Sequence, residues 1–192
     1  MTLIASILFC SSLLNAQSFT PNQLKIKQGN KIVTINNTDQ TISLKREQFS
    51  IQFLNQPYQE KKGLFYAARA LVTDSKINLD LERKLIDEIP YFEPGTGFEA
   101  EQNQLIHHPI LSADGHQYLY YVSNKDKRVE KVGTAATWDI YQWNLEGVNQ
   151  YDNDMDWNTY DNDEVNILFI VDRNLNGQLE KGEFHNLRII LQ

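Results

Sequence analysis

The feature that most constrains this chain is a period of two in its apolar residues. After Pro21 they fall at Leu24 and Ile26, at Ile32, Val33 and Ile35, at Ile42 and Leu44, and at Phe49, Ile51 and Phe53. The runs are broken by Gln28-Gly29-Asn30 and by Asn36-Asn37-Thr38-Asp39. Successive side chains of a strand point to opposite faces, so alternation of this kind buries one face of a sheet. Gly, Asn and Asp supply the tight turns between strands. The N-terminal part is therefore expected to begin as an antiparallel meander.

The same pattern returns at residues 117–122 (QYLYYV), 128–132 and 137–148, with turns expected at Asp114-Gly115 and at residues 123–126. Residues 167–171 (ILFIV) form a continuous, largely β-branched run that reads as a buried strand. Residues 64–73 (LFYAARALVT) suit a strand or a helix. The period changes at residues 79–89, where Leu81, Leu85 and Ile89 recur at four-residue spacing and Pro90 ends the pattern, which predicts an amphipathic helix covering one face of the sheet. Residues 92–104 (FEPGTGFEAEQNQ) hold two glycines, a proline and three glutamates, Glu93, Glu99 and Glu101, with no periodicity. They predict a long loop of the kind that carries function. The fold class expected is α+β: mostly antiparallel β-sheet with one amphipathic helix.

The first sixteen residues carry no charge, and the apolar stretch within them is too short to span a bilayer. They read as a signal peptide, residues 1–16, with cleavage after the small Ala16 and a single β-rich domain over 17–192. Lipid attachment at Cys10 is disfavoured by the bulky Phe9 before it. Cleavage removes the one cysteine, so the mature domain would have no disulfide and no thiol ligand or nucleophile. An exported protein, periplasmic or secreted, is expected. With 41% apolar and 22% charged residues, the chain has an ordinary globular balance. Its net charge of −7, without a long basic cluster, argues against nucleic acid and favours a cation or a basic protein as partner.

One stretch names a chemistry. From Asp172 the chain reads DRNLNGQLEKGE, with oxygen-bearing side chains at alternating positions, Gly177 sixth, Leu179 eighth and Glu183 twelfth. Calcium wants six to eight oxygen ligands, which a twelve-residue loop can supply from positions 1, 3, 5, 7, 9 and 12 when a glycine at position 6 permits the sharp turn. Here those positions are Asp172, Asn174, Asn176, the backbone carbonyl of Gln178, Glu180 and Glu183. This run resembles the calcium loop of EF-hand proteins over residues 172–183. The resemblance implies a Ca2+ ion held by those six residues. Since a strand rather than a helix is expected to enter the loop, it is most similar to the isolated EF-type loops of periplasmic sugar-binding proteins and dockerin-like modules. A structural ion is implied rather than a sensor. With Asn at positions 3 and 5, affinity should fall in the weak extracellular class, about 10⁻⁴ to 10⁻³ M.

The remaining candidates are less specific. Tyr-Asp-Asn-Asp occurs twice, from Tyr151 and from Tyr160. Counted from Asp152, the acids Asp154, Asp156 and Asp163 fall on calcium positions, but Trp157 stands where glycine is needed, so a solvated acidic surface is expected. Tyr151, Trp157 and Tyr160 are candidate anchors for a basic protein partner. Tyr141, Trp143 and Trp157 would serve a carbohydrate-binding module, although core packing is the stronger reading for the first two. His107, His108 and His116 would serve a hydrolase, but their spacing matches no zinc motif. No catalytic constellation is visible. The function expected is that of an exported, non-enzymatic calcium-binding protein that binds or inhibits another protein, an immunity-type inhibitor being the most specific form.

Overall fold

The alternating runs become strands. The computed structural model describes residues 19–55, 68–73, 80–89, 97–101, 104–108, 118–120, 129–150, 153–174 and 176–192. Four strands open the chain: β1 (Leu24–Gln28), β2 (Lys31–Ile35), β3 (Asp39–Leu44) and β4 (Phe49–Asn55). They are followed by β5 (Ala68–Thr73), β6 (Gly97–Glu101), β7 (Gln104–His108), β8 (Tyr118–Tyr120) and β9 (Val129–Ala135). The last five are β10 (Trp138–Leu145), β11 (Gly147–Gln150), β12 (Asn153–Asp156), β13 (Glu164–Val171) and β14 (Phe184–Leu191).

These make a five-stranded sheet in the order β2-β1-β4-β10-β9, a six-stranded sheet in the order β3-β14-β13-β5-β6-β7, and a small sheet β12-β11-β8. Neighbours are antiparallel except β3 and β14, which run parallel with Ile42 beside Ile189. The two larger sheets face each other. Leu24, Ile26, Ile51, Phe53 and Trp143 come from one and Ile167, Phe169, Leu187 and Ile189 from the other, and all share a single core. At its centre Phe169 meets Phe53 with ring centroids 5.0 Å apart and Trp143 at 6.3 Å. The stagger of β10 reflects the expected pattern: Tyr141 and Trp143 point into the core, while Trp138 and Ile140 are only half-buried.

β13 explains why ILFIV shows no alternation: it is buried on both faces. Val165, Ile167, Phe169 and Val171 enter the core between the sheets, whereas Leu168 and Ile170 enter a second, smaller core on the outer face of the six-stranded sheet. Leu71 of β5 joins them there, and Leu81, Ile86, Ile89 and Leu179 cover all three.

Two expectations are corrected. Residues 80–89 are not an amphipathic helix; apart from a three-residue 3-10 turn, Ile86–Glu88, they form an irregular strap. Backbone bonding decides this. Beyond short i to i+3 turns, the strap's backbone pairs with the loop at residues 177–179 and not in a helical ladder: Arg83 N–H donates to the Leu179 carbonyl (2.8 Å), Leu179 N–H to the Lys84 carbonyl (2.9 Å) and Ile86 N–H to the Gly177 carbonyl (2.8 Å). Arg83 also takes a φ of 68°, which no right-handed helix admits. The buried trio is Leu81, Ile86 and Ile89, while Leu85, on the expected apolar face, is 47% exposed. With that helix gone, the described residues form an almost entirely β fold, not the α+β class. The second correction concerns residues 92–104, where β6 and β7 form a hairpin pairing Phe98 with His107 and Glu101 with Gln104. Phe98 and Ala100 do alternate with Glu99 and Glu101, but over too few residues, and beside two glycines and a proline, to signal a strand. Residues 1–16, the turn at Asp114-Gly115 and the turn at residues 123–126 lie outside the described residues.

Phe169 lies between the two sheets, so Phe169→Ala should destabilise the protein by about 3–5 kcal/mol, the usual cost of emptying an aromatic core position. Urea unfolding should show a lower midpoint at an unchanged slope; a loss under about 1 kcal/mol would mean that the two sheets do not share this core.

Candidate metal centre

The loop at residues 172–183 is the connection of the β13–β14 hairpin. The last strand pair is Ile170 with Phe184, and Val171 N–H donates to the Glu183 carbonyl at 2.8 Å, which closes the base of the loop. That closure brings the first and twelfth positions together. Asp172 and Glu183 are each only 6% exposed, an unusual state for carboxylates.

Backbone N–H groups hold both acids. Asp172 accepts from Asn176 N–H at Oδ1 (3.2 Å) and from Gly177 N–H at Oδ2 (2.8 Å). Glu183 accepts from Arg173 N–H at Oε1 (2.9 Å) and from Glu180 N–H at Oε2 (3.0 Å). The amide oxygens are fixed in the same way. Asn174 Oδ1 accepts from Asn176 N–H at 3.1 Å, and Asn176 Oδ1 from Gln178 N–H at 2.7 Å. Asn176 Nδ2 donates to Glu180 Oε1 at 3.4 Å. Each of these oxygens keeps a further lone pair for a cation. Gly177 has a φ of 77° with open space where a Cβ would stand, so backbone conformation rather than packing demands the glycine. Gly182, with a φ of 91°, is held more tightly, since a Cβ there would come within 2.8 Å of the Asn22 side chain.

The electrostatics of the loop favour a cation. Burial raises the Glu183 pKa above the ordinary carboxylate value and the Asp172 charge adds to this; the N–H groups of Arg173 and Glu180 and the Arg173 charge oppose it. Arg173 is itself buried, and its Nη1 donates to the Gly182 carbonyl at 2.8 Å. Burial brings its pKa down to about 10, with Glu183 working the other way. A guanidinium beside the pair offsets part of the negative charge, which would weaken cation binding without supplying a ligand.

The donor set fits calcium better than a softer metal. Two buried carboxylates, two side-chain amides, the Gln178 carbonyl and the exposed Glu180 are all hard oxygens. Among the described residues no three His, Cys, Asp or Glu side chains gather as a metal-holding group. The loop's oxygens instead come largely from amides and a carbonyl, as calcium accepts and zinc does not.

The other candidates separate from this site. Trp157 and Tyr160 are buried, at 1% and 3% exposure, so neither presents a ring to a partner. Trp157 stacks on Phe49 with centroids 5.3 Å apart, meets Tyr160 edge-on, and donates through Nε1 to the Leu145 carbonyl at 3.3 Å. Around them Asp154, Asp156, Asp161 and Asp163 stay exposed. Of the acids in the second calcium-like spacing, Asp154 accepts from Asn149 (2.7 Å) and Asp163 pairs with Arg46 (2.6 Å). Tyr141 and Trp143 are core residues, which takes the platform away from the carbohydrate reading. Glu99 and Glu101 lie on β6 opposite Ile106 and Gln104, and His107 and His108 lie on β7. Glu93, His116, Tyr151 and Asp152 lie outside the described residues.

Sequence reasoning missed the strap and the residues behind the loop. Gln178 Nε2 donates to the Arg83 carbonyl at 2.7 Å, and Leu85 forms an isolated β-bridge with Gln178. His185 sits behind the loop, 1% exposed, with Nδ1 3.2 Å from the Asn37 carbonyl. Leu187, Ile189 and Leu191 alternate in the sequence, a signal that could have placed residue 185 on the inward face of β14, although the same residues also suit a short helix; no sequence signal pointed to the strap. Comparison of the chain with protein-family models, with curated proteins and with solved structures finds no match.

His185 generates a pH prediction. Burial brings its pKa down to about 4 from 6.5; the Asn37 carbonyl opposes this and the Arg173 charge adds to it. The unfolded chain therefore takes up the proton first, and stability that is complete above about pH 6.5 falls as the pH drops toward 4. The loss should be on the order of 2–3 kcal/mol. Urea unfolding of wild type and His185→Gln at several pH values checks this: the difference between them should shrink on acidification, and a constant difference would count against it.

Proposed function

We propose that this is an exported calcium-binding β-protein whose ion is structural and whose role is to bind another protein, not to catalyse a reaction. The observation that carries the calcium reading is the burial of Asp172 and Glu183 together at the base of one hairpin loop, each carboxylate held by two backbone N–H groups. Two buried acids with one compensating arginine favour a bound divalent cation, because the ion replaces the hydration that burial removes. Asn at two of the ligand positions keeps the affinity weak, about 10⁻⁴ to 10⁻³ M, which suits a compartment rich in calcium.

The partner reading rests on charge. With a net charge of −7 and exposed acids at Asp154, Asp156, Asp161 and Asp163, the protein offers a negative surface to a basic partner. Of the aromatic anchors expected beside these acids, Trp157 and Tyr160 are interior, so attraction at this surface is electrostatic and should weaken with salt. An inhibitor or periplasmic immunity-type role is the specific form of this proposal, with Glu93, Glu99 and Glu101 as the acids to substitute. Capture of a stoichiometric protein partner from the native exoproteome, released by salt, is the matching test; retention of a glycan without a protein partner would sink it.

Calcium is tested on the protein alone. At ten times the dissociation constant, one ion bound only to the folded state stabilises it by about 1.4 kcal/mol. Thermal melting should shift upward between EGTA and millimolar calcium, and Glu183→Gln should abolish the shift. An unchanged melting temperature in wild type would overturn the reading.

A further inference from the structure

We infer that calcium at this loop controls whether the strap at residues 80–89 is docked on the outer face of the six-stranded sheet. This rests on the calcium reading above and adds what the ion regulates. The strap and the loop are joined at residues that supply or flank a ligand oxygen. Gln178 occupies the seventh position, where the backbone carbonyl is the donor; its side chain holds the Arg83 carbonyl at 2.7 Å and its backbone bridges Leu85. On either side, Ile86 N–H donates to the Gly177 carbonyl, Arg83 N–H to the Leu179 carbonyl, and Leu179 N–H to the Lys84 carbonyl, at 2.8 to 2.9 Å.

The joint is apolar as well as polar. Leu179, fully buried, packs into the second core with Leu81, Ile86 and Ile89 of the strap, and the four side chains together cover Leu71, Leu168 and Ile170. Rotation of peptides 177–179 when the ligand oxygens disengage would break the four hydrogen bonds and withdraw Leu179 at once. Among the described residues the strap's own backbone bonds are short-range turns, Lys84 to Leu81, Glu88 to Leu85 and Ile89 to Ile86, which tie it to itself and not to the sheet. Released, it uncovers an apolar patch. Where calcium is plentiful the patch is closed; where calcium is scarce the patch opens to proteases or to other chains.

Amide hydrogen exchange on the protein, with a calorimetric calcium titration beside it, tests this. Moving from calcium at ten times the dissociation constant into EGTA should accelerate exchange at Arg83, Ile86 and Leu179 by more than the roughly tenfold that loss of the ion gives amides of β1 and β4 exchanging through global unfolding. Coupling is reciprocal, so Ile86→Ala, which touches no ligand, should weaken calcium binding roughly fivefold or more. Calcium binding with strap exchange accelerated no more than that of β1 and β4, or with unaltered affinity in Ile86→Ala, overturns this inference and leaves the calcium site standing. Absence of calcium binding overturns both.

Discussion

Everything in this molecule leans on β13. A strand buried on both faces must find apolar partners on each, and the chain meets that demand with two different covers. On one side is a second sheet, packed through Phe53, Trp143 and Phe169. On the other is a strap and a loop, packed through Leu81, Ile86, Ile89 and Leu179. The first cover is a broad sheet with its own hydrogen-bonded ladder, and the second is a short segment with almost none. That asymmetry locates the part of the fold that the proposed ion would influence. Stability is not uniform across a structure, and the element with the fewest internal bonds opens most easily.

The loop joins these two kinds of stability because its stem belongs to β13 and β14 and its tip belongs to the strap. Asp172 and Glu183 are placed by the hairpin, which the main core makes rigid. Gln178 and Leu179 are placed by residues 83–86, which are held mainly from outside themselves. A site built this way has fixed acids and an adjustable carbonyl. Arg173, buried in the loop between the two acids, offsets part of their negative charge, while burial keeps His185 of β14 neutral.

How much of this was legible follows from the range of the forces involved. β1 to β4 were readable because alternation is written in neighbouring residues, and Gly29 and Asn36 mark the turns. The turn at residues 172–183 was readable for the same reason, since its hydrogen bonds close within twelve residues. The strap was not readable. Leu81, Leu85 and Ile89 do carry a helical period, and only the long-range pairing of 83–86 with 177–179 overrides it. Trp157 and Tyr160 failed similarly: acidic neighbours suggested a surface, while Phe49, more than a hundred residues away, holds Trp157 inside. β6 was obscured by glycine and glutamate in a stretch whose pairing with β7 shows only in three dimensions.

The parallel pairing of β3 with β14 sets an order on how the chain can assemble. Residues 39–44 emerge early in synthesis, yet their only sheet neighbour among the described strands is residues 186–191, at the other end. Contacts between such distant segments are slow to form because closing the long loop between them comes before any gain from pairing. The last residues also finish the edge directly: Gln192 N–H donates to the Leu44 carbonyl, and Arg46 N–H donates to the Gln192 carbonyl at 3.1 Å. Of the first four strands, β1, β2 and β4 pair with one another, whereas β3 has no sheet to join until residues 186–191 are in place. One edge of the six-stranded sheet is therefore governed by the longest closure among the described strands, and the opening meander of the other sheet by one of the shortest.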